Sequence, residues 1–238
     1  MLKVGLCGFT INQKLYYETF PVVEVQQTFY EPPPPATLMR WRDAAPEGFE
    51  FTIKAWQIIT HRATSRTYRR LKTPLAAGDR ERCGGFQASE IVDSAWKTTL
   101  ACARILRASA ILFQCPASFR PTEENVAAMR RFFSTIERPR NVRFLFEPRG
   151  DWPHDLLLAL TGELGLVDAV DPFLRDSVTP EVLYWRLHGI GSYYRAYTDE
   201  ELRALVRRLP SAAPAYVMFN NIPRPSDARR FVELARAS

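Results

Sequence analysis

Residues 182–189 read VLYWRLHG. Val182, Leu183, Tyr184, Trp185 and Leu187 have the character of a buried strand, yet Arg186 and His188 interrupt it. A charge inside an apolar strand is costly unless it is paired or wetted. Side chains two apart in a strand share a face. Arg186 and His188 therefore point the same way, late in their strand. The same mark recurs elsewhere. Glu24, Gln26 and Thr28 fall on one face of a second strand-like run, and Thr52 and Lys54 on one face of a third. Gln114 ends another run, Glu147 is followed by Arg149, Asp168 by Asp171, and Asn220 and Asn221 close the last. A closed barrel of parallel strands gathers its strand C-termini around one mouth, where barrel active sites sit. The polar strand ends thus predict a hydrated pocket at such a mouth. Simple surfacing of strands into loops accounts for Asn220 and Asn221. It does not account for Glu24 and Lys54, which sit inside their runs.

Outward from this stretch, apolar runs of strand length lie at 3–7, 22–29, 49–56, 110–115, 143–148, 166–170, 183–188 and 215–220. Helical patterns separate most of them. Thr198 with Glu201 three residues on forms a capping box, whereas Thr122 faces Asn125 and lacks one. Gly165 suits a C-cap. Strands alternating with helices predict a parallel α/β sheet, and eight of them predict a (β/α)8 barrel. A doubly wound open sheet is the alternative, but no GxGxxG or Walker A sequence follows the first strand. The expected organisation is a single domain over 1–238 with a long polar insertion at 57–88, of the kind that forms lids or binding loops. The first helix is short, and 173–181 is too short for a full one.

A formal charge of +6 is compatible with anionic ligands or nucleic acid. Cys7, Cys83, Cys102 and Cys115 form no CxxC pair and match no zinc spacing. Cys7 and Cys115 lie in apolar runs and read as packing residues. The opening MLKVGLCGF is too short and wrongly flanked for a signal peptide. No apolar run reaches the roughly 18 residues of a membrane span. A reduced cytoplasmic protein is expected.

Six segments occur in one order: VVEVQQTFY (22–30), PEGFEFTIKAWQIITH (46–61), ILFQCPASFR (111–120), FLFEPRGDW (144–152), WRLHG (185–189) and YVMFNN (216–221). In this the chain resembles the YecE-like family, domain of unknown function seventy-two, over nearly its whole length. The resemblance implies a (β/α)8 barrel and carries no established activity. It places the family's polar positions on Glu24, Gln26, Thr28 and Tyr30, on Lys54, Thr60 and His61, on Gln114 and Ser118, on Glu147, Arg149 and Trp152, and on Arg186, His188, Asn220 and Asn221. The chain departs from the family where Gln26 replaces the usual asparagine, Phe9 a tryptophan and Gly150 a histidine.

These residues define the candidate site. His188 and Glu147 are the acid–base candidates and Lys54 the third catalytic candidate. Glu24, Gln26, Thr28, Tyr30, His61, Gln114, Arg149, Arg186, Asn220 and Asn221 are the substrate-binding candidates. Arginine forks match carboxylate and phosphate geometry, so an anionic small molecule or a phosphodiester is the expected ligand. Glu147 with Arg149, and Arg186 with an aspartate, could equally be structural ion pairs. Glu24, Glu147, Asp171 and His188 are ligand types for a divalent ion, but no HxH or HExxH spacing supports one, and no metal site is assigned. No GxSxG supports a serine nucleophile. Tyr193, Tyr194, Arg195 and Tyr197 follow HGIGS as a loop that could cover a ligand or stack on bases. The alternatives to hydrolase, isomerase or lyase chemistry are a nucleic-acid-binding module using the basic 57–88 segment, and a partner in a larger assembly; no membrane partner is expected.

Overall fold

The computed structural model describes residues 1–237. Eight strands form a closed barrel in sequence order: β1 (Leu2–Cys7), β2 (Val22–Val25), β3 (Glu50–Lys54), β4 (Ala110–Gln114), β5 (Arg143–Glu147), β6 (Val167–Val170), β7 (Leu183–Leu187) and β8 (Ala215–Phe219). β1 runs parallel to β2 and to β8, pairing Gly5 with Val22 and Leu2 with Ala215. β7 runs parallel to β8, pairing Leu183 with Ala215. Parallel strands need crossovers, and helices supply most of them. Between β6 and β7 there is only a helix-free turn. Among the described residues no helix is long and apolar enough to cross a membrane.

The chain divides into two compact units. The terminal unit comprises residues 1–24, 46–50 and the chain from Val167 on; the central unit comprises 25–45 and 51–166.

In the terminal unit β1 approaches β2 closely. A Cβ at Gly5 would lie 2.2 Å from the Val22 carbonyl oxygen. Only glycine fits there. Helix α1 (Gln13–Thr19) buries Tyr16, whose hydroxyl accepts from Leu6 N–H at 2.9 Å and donates to the Val22 carbonyl at 2.9 Å. One phenol thereby ties both strands.

In the central unit α2 (Gln27–Tyr30) and α3 (Pro35–Ala44) follow β2; Pro35 sits in the first turn of α3, where its missing N–H costs nothing. Helix α4 (Gln57–Thr60), a 3-10 helix (Arg66–Arg70) and α5 (Ala77–Arg80) lie between β3 and the long helix α6 (Glu90–Leu106). Ser89 caps α6 by accepting from Val92 N–H. Helix α7 (Glu123–Thr135) is capped by Thr122 alone, and α8 (His154–Leu164) ends on Gly165. Phe86, Trp96, Phe113, Phe132, Phe133 and Phe144 form one aromatic core, with ring centroids 5.0–6.2 Å apart. Back in the terminal unit, α9 (Asp199–Val206) carries the Thr198–Glu201 capping box, and α10 (Arg224–Arg236) closes the chain.

Two expectations are corrected. The second strand stops at Val25, four residues short of the predicted 22–29, because the chain turns into α2. The Thr28 hydroxyl donates to the Val25 carbonyl, which replaces a ladder bond. Gln26 and Thr28 therefore do not share a strand face with Glu24. The 57–88 insertion is not a loose polar loop. Ile58, Ile59 and Phe86 are buried, and Gly84 N–H and Phe86 N–H donate to the carbonyls of Ile58 and Ile59 at 2.8 and 2.9 Å. Its ends are core; only its middle faces water.

Candidate functional site

Arg186, in the middle of β7, is fully buried. Its guanidinium grips Glu24 with a fork: Nε to Oε2 at 2.9 Å and Nη2 to Oε1 at 2.7 Å. The Tyr184 hydroxyl donates to the same Oε2 at 2.9 Å. The charge that interrupts the apolar strand is thus matched by a carboxylate, that of Glu24; the sequence reading offers an aspartate as one possible structural partner. Bidentate, charge-assisted geometry is what makes such burial tolerable. Beyond the fork, Arg186 Nη2 lies 3.7 Å from Cys7 Sγ, and burial together with Glu24 pushes that thiol far up, out of the reactive range.

Nη1 of Arg186 faces the next residue on the same strand face, 3.3 Å from His188 Nε2. His188 is partly exposed and stands one residue beyond the end of β7. Asp171, just past β6, holds it: Oδ2 accepts from the His188 backbone N–H at 3.0 Å and lies 3.3 Å from Nδ1. Asp171 Oδ1 accepts from Phe173 N–H at 3.0 Å. Burial pushes the Asp171 carboxyl up, but the hydrogen bonds from His188 and Phe173 and the nearby imidazole outweigh it and hold it below the ordinary carboxylate value. A carboxylate on Nδ1 fixes the proton there and leaves Nε2 as the exchanging nitrogen. The result is a continuous chain, Asp171–His188–Arg186–Glu24, within the terminal unit.

The turn that follows is rigid at its root. Gly189 has a φ of 92°, and a Cβ there would meet the Ser192 carbonyl oxygen at 2.3 Å. Gly189 N–H donates to the Tyr197 hydroxyl at 2.6 Å. Tyr197 is buried and stacks on Phe173, so it packs rather than offering a stacking surface; Tyr194 is 80% exposed. Asn221 is buried as well. Its amide donates to Asp227 Oδ2 at 2.7 Å and to the Arg195 carbonyl at 3.1 Å, fastening the turn to α10. Asn220, half-buried, donates its backbone N–H to the Leu187 carbonyl.

The other candidates lie in the central unit. Lys54 ends β3 and is buried. Its Nζ donates to Gln114 Oε1 at 2.6 Å and sits 4.0 Å from the centroid of the Phe29 ring, a cation–π contact. Thr28 Oγ1 accepts from Lys54 N–H at 3.2 Å. Gln114 is the register partner of Glu147 between β4 and β5, and Glu147 pairs with Arg149 at 3.1 Å. His61 is buried against the edge of Phe29, with Nδ1 2.8 Å from Thr60 Oγ1. Burial, and then Lys54, push it down to about 3. The Tyr30 carbonyl accepts from Trp56 Nε1 and Gln57 Nε2. Gln26 precedes α2 and is partly exposed.

Sequence reasoning missed Tyr184 as a site residue. Tyr184 lies two residues before Arg186, so the alternation that paired Arg186 with His188 also marks it. Phe29 is marked by the resemblance in VVEVQQTFY, but strand alternation could not give its contact with Lys54, because its segment is helical. Among the described residues no group of three or more His, Cys, Asp or Glu side chains is arranged to hold a metal ion.

The profile of the family described as "Protein of unknown function DUF72" matches residues 12–238. The UPF0759 protein YunF of Bacillus subtilis (strain 168) is 28% identical over 144 residues, covering 55% of this chain and 45% of that protein. The match thus spans less than half the length of that curated relative. A DUF72 family protein from Enterococcus faecalis V583 superposes with a TM-score of 0.75 at 19% identity, covering 100% of this chain and 96% of that chain. One from Thermotoga maritima MSB8 superposes with a TM-score of 0.70 at 20% identity, covering 99% of each. At these identities the likeness to solved structures concerns the fold.

Proposed function

The chain belongs to the DUF72 family, and from that premise we propose that it is an enzyme acting on a small molecule bearing a phosphate or carboxylate, with His188 as the proton-transferring group. The observation that carries the reading is the polarised array around that imidazole. Asp171 keeps the Nδ1 proton in place, so Nε2 takes a proton from the substrate or returns one. Arg186, buried and locked by Glu24 and Tyr184, keeps Nη1 beside Nε2, so its fixed positive charge acts on negative charge developing near the imidazole through the field rather than by contact with substrate. Proton transfer next to a fixed cation suits isomerisation, elimination or hydrolysis of an anionic substrate. Glu24 and Asp171 position; His188 reacts.

The test is turnover on a panel of sugar phosphates, phosphomonoesters, phosphodiesters and hydroxy- or keto-acids. His188→Ala should abolish any activity the wild-type protein shows and leave its melting temperature within a few degrees. Asp171→Asn should lower kcat by about 10²–10⁴-fold, the usual worth of a positioned acid–base group, and move the pH profile. Equal turnover by His188→Ala and the wild type would overturn the assignment.

A further inference from the structure

The insertion's solvent-facing middle carries Arg62, Arg66, Arg69, Arg70, Lys72, Arg80 and Arg82 against only Asp79 and Glu81. This short segment holds most of the chain's formal charge of +6. We propose that it is a docking surface for single-stranded nucleic acid, independent of the activity assigned to His188.

Five of these cations fall within residues 62–72, a stretch with no acidic residue. Elsewhere in the central unit Arg130 forks onto Glu163 at 2.8 Å and Arg104 bonds Glu137 at 2.5 Å. Arg62, Arg66, Arg69, Arg70 and Lys72 are exposed and have no carboxylate within salt-bridge distance among the described residues. The acid beside them, Glu31, is engaged by the Lys72 backbone N–H and the Thr73 hydroxyl, not by a charge.

The surface is also formed rather than loose. Tyr68 donates to the His61 carbonyl at 2.8 Å, the Ser65 hydroxyl accepts from Thr67 N–H, and Arg80 Nη2 donates to the Ala63 carbonyl. In the 3-10 turn Arg66 and Arg69, three apart, stand on one side. The Arg70 guanidinium carbon lies over the Tyr30 ring, 4.0 Å from its centroid, a cation–π pair at the edge of this cluster. Unpaired cations tracking a backbone, beside an arginine–aromatic pair, are the features that bind single strands. No large exposed hydrophobic side chain lies in 57–88, so insertion into a bilayer has no anchor here.

The test is fluorescence anisotropy with the full chain, a labelled mixed-sequence 12-nucleotide single strand, the matching duplex, and vesicles containing anionic phospholipid. At about 0.7 ion released per phosphate contact, five contacts predict a loss of affinity of about 100-fold between 50 and 200 mM salt. Arg66→Ala/Arg69→Ala/Arg70→Ala should reduce that loss to about 7-fold and weaken binding at low salt. Arg104→Ala/Arg130→Ala, which removes paired arginines, should change neither. If the triple variant misfolds, Arg69→Glu alone must still weaken binding. Salt-independent binding, equal losses in the control variant, tighter binding of the duplex, or binding to vesicles with none to the oligonucleotide would overturn the proposal.

Discussion

Glu24→Ala should be among the most damaging single substitutions in the terminal unit. It strands the Arg186 guanidinium, 0% exposed, without the carboxylate that takes two of its nitrogens, and leaves the Tyr184 hydroxyl without its acceptor. Breaking a buried pair from one side costs about 3–5 kcal/mol, because the remaining charge stays desolvated and has lost its counter-charge. For a chain of this size each kcal/mol moves Tm by about 2–4 °C, so the fall should be about 6–20 °C. Removing both charges together is a different perturbation. In Glu24→Leu/Arg186→Met the desolvation cost disappears with the attraction, so the double variant should lie within about 2 kcal/mol of wild type and above either single variant. The assay is urea unfolding at pH 7 by far-ultraviolet circular dichroism and by tryptophan fluorescence, with coincident transitions as the condition for comparing free energies. The double variant should regain stability and still lack any activity that depends on Arg186 beside His188. If either single substitution costs less than about 1 kcal/mol, or if the two effects simply add, the fork is not what lets β7 carry a buried arginine.

Burial lowers His61 from 6.5 to about 3, so the unfolded chain takes up the proton first; this stabilisation is complete above about pH 6.5 and is lost toward pH 3. The loss runs at up to about 1.4 kcal/mol per pH unit, so urea midpoints at pH 7, 5.5 and 4.5 should fall less steeply in His61→Gln, and parallel curves would refute the assignment. Gly5→Ala should reduce soluble yield and stability because its Cβ meets the Val22 carbonyl, whereas Gly162→Ala, with nothing within 4 Å, should raise stability by about 0.5–1 kcal/mol; equal melting curves would contradict both. Thr198→Ala removes the hydroxyl arm of the α9 capping box, leaving the bond from the residue-198 backbone N–H to Glu201, and should cost about 1 kcal/mol in urea unfolding, which Thr198→Ser should largely restore.

The barrel was legible because apolar runs of strand length alternate with helices, and that pattern depends on local residues alone. The limits were legible only in part. VVEVQQTF has β-branched or aromatic residues at both ends, yet burial of Phe29 and the Thr28 bond to the Val25 carbonyl turn its second half into α2. Tertiary packing overrides a local propensity of well under 1 kcal/mol per residue. The insertion misled in the opposite direction. Its many charges outweighed Ile58, Ile59 and Phe86, the residues that fasten its two ends into the core.

The site was half legible for a geometric reason. Alternation along one strand tells which side chains share a face, so Arg186 and His188 could be read together. It does not say which distant strand supplies the counter-charge. Glu24 is on β2 and Arg186 on β7, and β1 and β8 lie between them in the sheet. Neighbouring strands are about 4.8 Å apart, so a contact at 2.7 Å across two intervening strands cannot run along the sheet. It has to cross the concave side, which requires both residues to point inward and the sheet to curl. Curvature is a property of the assembled strands and has no local sequence signature. The aspartates of this region have other partners: Asp168, in β6, is held by Arg175 at 2.6 and 2.7 Å, and Asp171, just past it, is engaged by His188. Glu24, across the interior, is the carboxylate that forks onto Arg186.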